Sequence, residues 1–217
     1  AQRAARDRRR YLVYTDLDHA IPFRPEQDTL YAYMVTQIAW IANDIADMLT
    51  RKELAEVVGC FVQLNHIGRE AFLRFPTTMP RYTDHQRLSL RVVQRLDQPV
   101  NCCPSLHIAY AVLLDNIARV MGERLADRSE ALESIRTSTL GMFNSVLYTK
   151  QHALVDVAFG ILAAREVFEA HFETSFDDLT GSFDTLGDDH PIPYDTIRAM
   201  YGEACALRER APDLADA

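Results

Sequence analysis

His152 and Asp156 stand four residues apart in the stretch Ser145-Val-Leu-Tyr-Thr-Lys-Gln-His-Ala-Leu-Val-Asp156. On a helix that spacing puts both side chains on one face, where a carboxylate orients an imidazole or favours its charged form. The other ring nitrogen of such an imidazole becomes a better nucleophile or base. A second group, Pro104-Ser105-Leu106-His107, stands at a predicted helix start. Unpaired backbone N–H groups and the helix dipole favour an anion there. The Ser105 hydroxyl adds a hydrogen bond, and His107 faces the bound group as a general acid or base. A third, Arg74-Phe-Pro-Thr-Thr-Met-Pro-Arg81, sets two arginines on a proline-rich loop. Guanidinium forks converging on oxyanion oxygens suit Arg better than Lys. Taken singly, each group also has a plain structural account: a helix-stabilising pair, a cap beside a satisfied core histidine, and two solvated arginines.

Helical periodicity dominates the elements that must hold these residues. From Thr29 to Leu49 the apolar Tyr33, Val35, Ile38, Ile41, Ile45 and Met48 recur as an amphipathic helix requires, with Asp28 as N-cap. A second helix runs from about Lys52 to Phe72 and buries Leu54, Val57, Val58, Phe61, Leu64 and Ile67. Phe75-Pro-Thr-Thr-Met-Pro80 breaks it, and Thr83 to Asn101 reads as a loop or short helix. Further helices are expected over Ser105–Met121, Ala131–Leu147, Gln151–Phe172 and Tyr194–Arg208. Asp177–Pro193 reads as loop, and Ala211–Ala217 as a frayed tail. No repeat and no strand pattern stands out. The expected fold is all-α, a single-domain bundle of about six main helices. Residues 1–15 form an extension, 16–172 the core, and 173–217 a loop and last helix.

The bulk composition narrows the function classes. A formal net charge of -8 argues against a general nucleic-acid binder, because phosphate backbones reward broad basic surfaces. It leaves room for a small anion, since a few converging arginines make a local positive pocket. Cys60, Cys102, Cys103 and Cys205 lack metal-ligand spacing, so reduced thiols in a cytoplasmic protein are expected. The longest stretch free of charged residues, Gln98 to Leu114, contains two prolines, Asn101, Ser105 and His107 and makes a poor membrane span. The chain is therefore expected to be soluble, touching a membrane at most peripherally.

In order and spacing, Arg-x6-Arg, Pro-Ser-x-His and Ser-x6-His-x3-Asp resemble the three-part signature of the type 2 phosphatidic acid phosphatase superfamily. That superfamily also includes bacterial acid phosphatases and vanadium-dependent haloperoxidases. The flanks Pro104-Ser-Leu-His-Ile-Ala-Tyr110 and Thr149-Lys-Gln-His-Ala-Leu-Val-Asp-Val157, with Asp18-His-Ala-Ile-Pro-Phe-Arg-Pro25, look like its inositol phosphorylceramide synthase-like branch. The resemblance spans Asp16 to Leu162. It implies that His152 attacks phosphorus and becomes a phosphohistidine, that Asp156 holds it, and that His107 protonates the leaving oxygen and then activates water. It also implies that Arg74, Arg81 and Ser105 bind the phosphoryl oxygens, with no metal or cofactor.

Against the family pattern, Arg74 stands for Lys, Tyr82 for Pro, and Leu106 for a Gly, which narrows the room beside the anion. Val146 takes the place of an arginine. Lys150 either replaces that cation as a phosphate ligand or is a surface lysine at a helix start. The implied activity is metal-independent hydrolysis of a phosphate monoester or a diphosphate, including an isoprenyl diphosphate. Alternatives are transfer to an alcohol, vanadate-dependent halide oxidation, and a non-catalytic anion- or lipid-binding helical module.

Overall fold

A helix buried on almost every side lies at the centre of the described bundle. A computed structural model describes residues 9–29, 49–122, 129–186 and 191–215. In it α1 spans Asp16–Ala20, α2 Arg51–Arg74, α3 Leu88–Leu96, α4 Leu106–Gly122, α5 Ser129–Tyr148, α6 Leu154–His171 and α7 Tyr194–Ala215. Short 3₁₀ turns cover Pro25–Gln27 and Thr180–Leu186. Helix α6 buries residues on every side, from Leu154 and Val157 through Ile161, Ala164 and Phe168, as a helix apolar all round must. Helix α4 packs between α5 and α6, α2 lies across both α4 and α6, and α7 covers α6 from another side. Ile108, Val112, Phe143, Leu147, Val157, Ile161, Ile197 and Tyr201 belong to one buried cluster. The fold is the all-α bundle expected.

Two glycines set how closely these helices meet. A Cβ on Gly160 of α6 would lie 2.7 Å from the Ser105 carbonyl oxygen, so only glycine lets the start of α4 rest on α6. A Cβ on Gly68 of α2 would lie 2.8 Å from the Leu106 side chain. Both contacts bear on where Ser105 and His107 stand.

Several boundaries differ from expectation for physical reasons. Helix α2 starts one residue earlier because Thr50 and Glu53 form a capping box, with Glu53 N–H donating to Thr50 Oγ1 and Thr50 N–H to Glu53 Oε2. It also runs two residues further than expected, through Arg74. Tyr11–Leu12 (β1) pairs in parallel with Thr77–Thr78 (β2), in register Tyr11 to Thr77. Two residues are too few for an alternating pattern to announce a strand. Helix α3 realises the short-helix option between Thr83 and Asn101, and α7 continues to Ala215, past the point where fraying was expected. Of the helix expected over Thr29–Leu49, residues 30–48 lie outside the described residues. Among the described residues no helix is long and apolar enough to cross a membrane.

Candidate active site

The site is assembled around the turn between α5 and α6. Helix α5 ends in a Schellman motif: Gln151 N–H donates to the Val146 carbonyl (2.9 Å) and Lys150 N–H to that of Leu147 (3.2 Å). Lys150 stands at the left-handed position with φ 54°, where glycine is usual and another residue costs about 1 kcal/mol. His152 N–H also donates to the Val146 carbonyl, at 3.2 Å. His152 therefore lies in the turn, two residues ahead of α6, and not on the helix as its spacing from Asp156 suggests. The reason is local. Asp156 sits in the first turn of α6, and its Oδ2 accepts the Ala153 N–H at 2.9 Å, capping the helix and ending it before His152.

From that turn the side chains form a chain of contacts. His152 Nδ1 lies 3.4 Å from Asp156 Oδ2, and His152 Nε2 lies 3.0 Å from His107 Nδ1. With the carboxylate as acceptor, His152 carries its proton on Nδ1, so its bare Nε2 accepts the Nδ1–H of His107. His152 is 7% exposed and Asp156 fully buried. Burial pushes His107 down to about 4; the neighbouring His152 and Arg81 charges add to the drop and Asp97 opposes it. His107 is thus neutral at ordinary pH in the free protein.

Ser105 and Arg81 flank this pair. Ser105 is the cap of α4: its Oγ accepts the Ile108 N–H at 3.3 Å, and its own N–H donates to the Asp156 carbonyl at 2.9 Å. A hydroxyl that accepts in this way still carries a proton it can donate. Arg81 is nearly buried and spans the α5–α6 turn and the end of α3. It donates to the Lys150 carbonyl (3.4 Å), to Gln151 Oε1 and to the Asp97 carbonyl (2.7 Å), and pairs with the Asp97 carboxylate at 3.6 Å. Its Nε and the Asp156 Oδ1 are buried with no hydrogen-bond partner among the described residues. Buried polar atoms are seldom left so, and unmet ones mark where a bound group or water completes the network.

Three expectations are corrected. Arg74 is not gathered in: α2 persists through it, its side chain is 74% exposed, and its guanidinium pairs with Glu70 one turn back. Lys150 is neither a surface lysine nor turned toward the histidines. It is 2% exposed, and its ammonium donates to the carbonyls of Asp18 and Ile21 near the end of α1. Burial pushes it down to about 8 against the opposing charge of Asp18. Leu106 does not crowd the anion position, because its side chain rests against Gly68 of α2. Val146 is fully buried in the core, so the residue standing in the family's arginine position is packing.

Other participants had fainter signals. Asp97 and Gln151 orient Arg81 but carry no motif of their own. The Cys103 thiol is pushed well above its usual value by burial and by the adjacent Asp156 carboxylate, so it is inert as a nucleophile. Asp18 was legible as half of a Thr15-x-x-Asp18 capping box, which the structure forms. No protein-family model, curated protein or solved structure matches the chain.

Proposed function

We propose that this protein is a metal-independent phosphatase of the type 2 phosphatidic acid phosphatase kind, hydrolysing a phosphate monoester or diphosphate through a phosphohistidine at His152. One observation carries the reading: a buried carboxylate stands behind one nitrogen of His152 at 3.4 Å while a second histidine meets the other at 3.0 Å. That is a nucleophile with an orienting base behind it and a proton carrier in front. A guanidinium and a helix start beside it suit the charge of a phosphoryl group.

In the first step the lone pair on His152 Nε2 forms a bond to phosphorus, and the bond from phosphorus to the leaving oxygen breaks. The electron pair goes to that oxygen, which takes a proton from His107. In the second step a water oxygen attacks phosphorus and gives its proton to His107. The N–P bond breaks, its electrons return to Nε2, and phosphate leaves. Asp156 stabilises the positive charge that His152 carries between the steps. Arg81, the Ser105 hydroxyl and the first N–H groups of α4 hold the non-bridging oxygens, whose charge grows in the transition state.

The free geometry is a resting one. Phosphorus must stand about 3 Å from the attacking nitrogen before reaction, the place where the His107 ring now lies. His107 therefore swings aside on binding and meets the leaving oxygen on the far side of phosphorus. The substrate's negative charge raises the proton affinity of His107, turning a neutral imidazole into the acid the first step needs.

The test is phosphate release from a panel of monoesters, prenyl diphosphates and lipid phosphates with EDTA present. Release that survives EDTA, with an acid-labile phosphoenzyme seen by ³¹P NMR, is the expected outcome. His152→Ala should abolish both. Unchanged release by that variant across the panel would overturn the proposal.

A further inference from the structure

Asp18 grips the chain two residues before His152 and two residues after it. Its main-chain carbonyl accepts the Lys150 ammonium, and its Oδ1 accepts the Leu154 N–H at 2.7 Å. The first bond uses a carbonyl at the open end of α1, the second an amide at the open start of α6; neither group has a partner within its own helix. Lys150 is also the left-handed residue at which the chain turns out of α5, so its side-chain anchor fixes the point from which the turn departs.

Every oxygen of Asp18 is occupied. Oδ2 accepts the Thr15 N–H at 2.8 Å and the Thr15 hydroxyl at 2.6 Å, and the carbonyl also accepts the Tyr14 hydroxyl at 3.1 Å. The residue is 2% exposed. A carboxylate so engaged and covered does not meet substrate. Its Oδ1 and the residue's main-chain carbonyl together reach the two chain positions that bracket His152, and the His152 ring must hold its line between Asp156 and His107.

We propose that Asp18 is a positioning residue for His152, clamping the α5–α6 turn so that Nε2 faces the reacting phosphorus. This rests on the phosphohistidine reading of the site. A reacting atom misplaced by about 1 Å costs on the order of a hundredfold in rate. Lys150 then serves the reaction through the same clamp and not as a phosphate ligand.

The test compares Asp18→Ala with Asp18→Asn in the full chain. The asparagine side chain keeps an oxygen for the Leu154 N–H; alanine keeps none. For Asp18→Ala we expect kcat to fall about 10- to 100-fold with KM within about threefold, and for Asp18→Asn to recover most of that loss. The second readout needs no turnover: ¹⁵N chemical shifts of the His152 ring in the free protein. In Asp18→Ala they should move toward a tautomer mixture, and in Asp18→Asn they should stay near the wild-type values. A folded Asp18→Ala with wild-type kcat and unmoved His152 shifts overturns the assignment. If Asp18→Ala does not fold, Thr15→Val is read the same two ways, with a smaller loss of kcat supporting the clamp and no change overturning it. A wild-type protein without phosphatase activity sinks the phosphohistidine reading instead. The ring shifts then still decide on Asp18, moved shifts supporting the clamp and unmoved ones overturning it.

Discussion

Helix α4 carries a buried polar network near each end, and the two are built differently. Toward its C-terminal end, both Asp115 oxygens are taken by Arg136 of α5: Nε donates to Oδ1 at 2.9 Å and Nη2 to Oδ2 at 2.8 Å. The same guanidinium reaches Asp177 at 2.9 Å, and Asn116 exchanges hydrogen bonds with the Asp177 backbone at 2.9 and 2.8 Å. At the N-terminal end, Asp156 uses one oxygen and leaves the other without a hydrogen bond among the described residues, as Arg81 leaves its Nε. Both networks cost desolvation. The first offsets it by setting a carboxylate against a guanidinium and ties α4 and α5 to the loop after α6; the second sets its buried carboxylate behind a pair of histidines instead. Both regions have charge and burial, so what separates frame from site is the partner of the buried carboxylate: an arginine in the first, a histidine in the second.

The largest expected effect tests the site side. On the proposed mechanism His152→Asn should cut turnover by at least about 10³-fold, because the proposed nucleophile is lost, while the unfolding midpoint in urea stays near wild type. Next comes the frame. Arg136→Ala strands a buried Asp115 carboxylate and should cost about 3–5 kcal/mol in urea unfolding. The fraction that folds should keep kcat/KM within about twofold. A stable Arg136→Ala with impaired turnover would erase the distinction between the two ends of α4.

Titration gives a third comparison. The unfolded chain binds the His107 proton near 6.5, the folded chain only near 4. Between those values unfolding takes up a proton, so this group's contribution is full above pH 6.5 and is lost as pH falls toward 4. The loss should be on the order of 3 kcal/mol, absent in His107→Gln, and read from urea midpoints across that range. In NMR the His107 ring should titrate well below the ordinary histidine range.

Lys150 tests which network it belongs to. Lys150→Met removes the donor to two buried carbonyls and should cost about 2 kcal/mol of stability, with phosphate inhibition unchanged. A phosphate ligand would behave the other way, weakening product inhibition at constant stability.

Much of the frame was legible because burial imposes a 3.6-residue period on α2 and α4 and leaves α6 a long apolar stretch, and the bland composition of the rest left only loops and caps to fill. The His107, His152 and Asp156 group was legible as types and order, yet its geometry was not. Spacing put His152 on a helix, whereas the Asp156 carboxylate ends that helix by capping Ala153. The turn itself was hidden because the left-handed position is held by Lys150 and not by the glycine that advertises a Schellman motif. Leu106 read as an obstruction because sequence does not reveal that Gly68, 38 positions earlier, offers it a seat.

Arg74 and Arg81 make the smallest and cleanest comparison, two arginines that a motif treats as equals. Arg81 is nearly buried and braced by Asp97 and Gln151; Arg74 stands in water on the last turn of α2, paired with Glu70 at 3.9 Å. Exposed pairs of that kind are worth about 0–1 kcal/mol. Arg74→Ala should therefore change stability by less than about 0.5 kcal/mol and kcat/KM by less than about twofold. Arg81→Ala should lower kcat/KM by at least about tenfold, since it removes the cation that the proposed mechanism sets against the charge of the transition state. Paired kcat/KM measurements decide it. If Arg74→Ala fell as far as Arg81→Ala, the α2 terminus would have to unwind and turn inward on substrate binding, and burial in the free protein would no longer tell the two arginines apart.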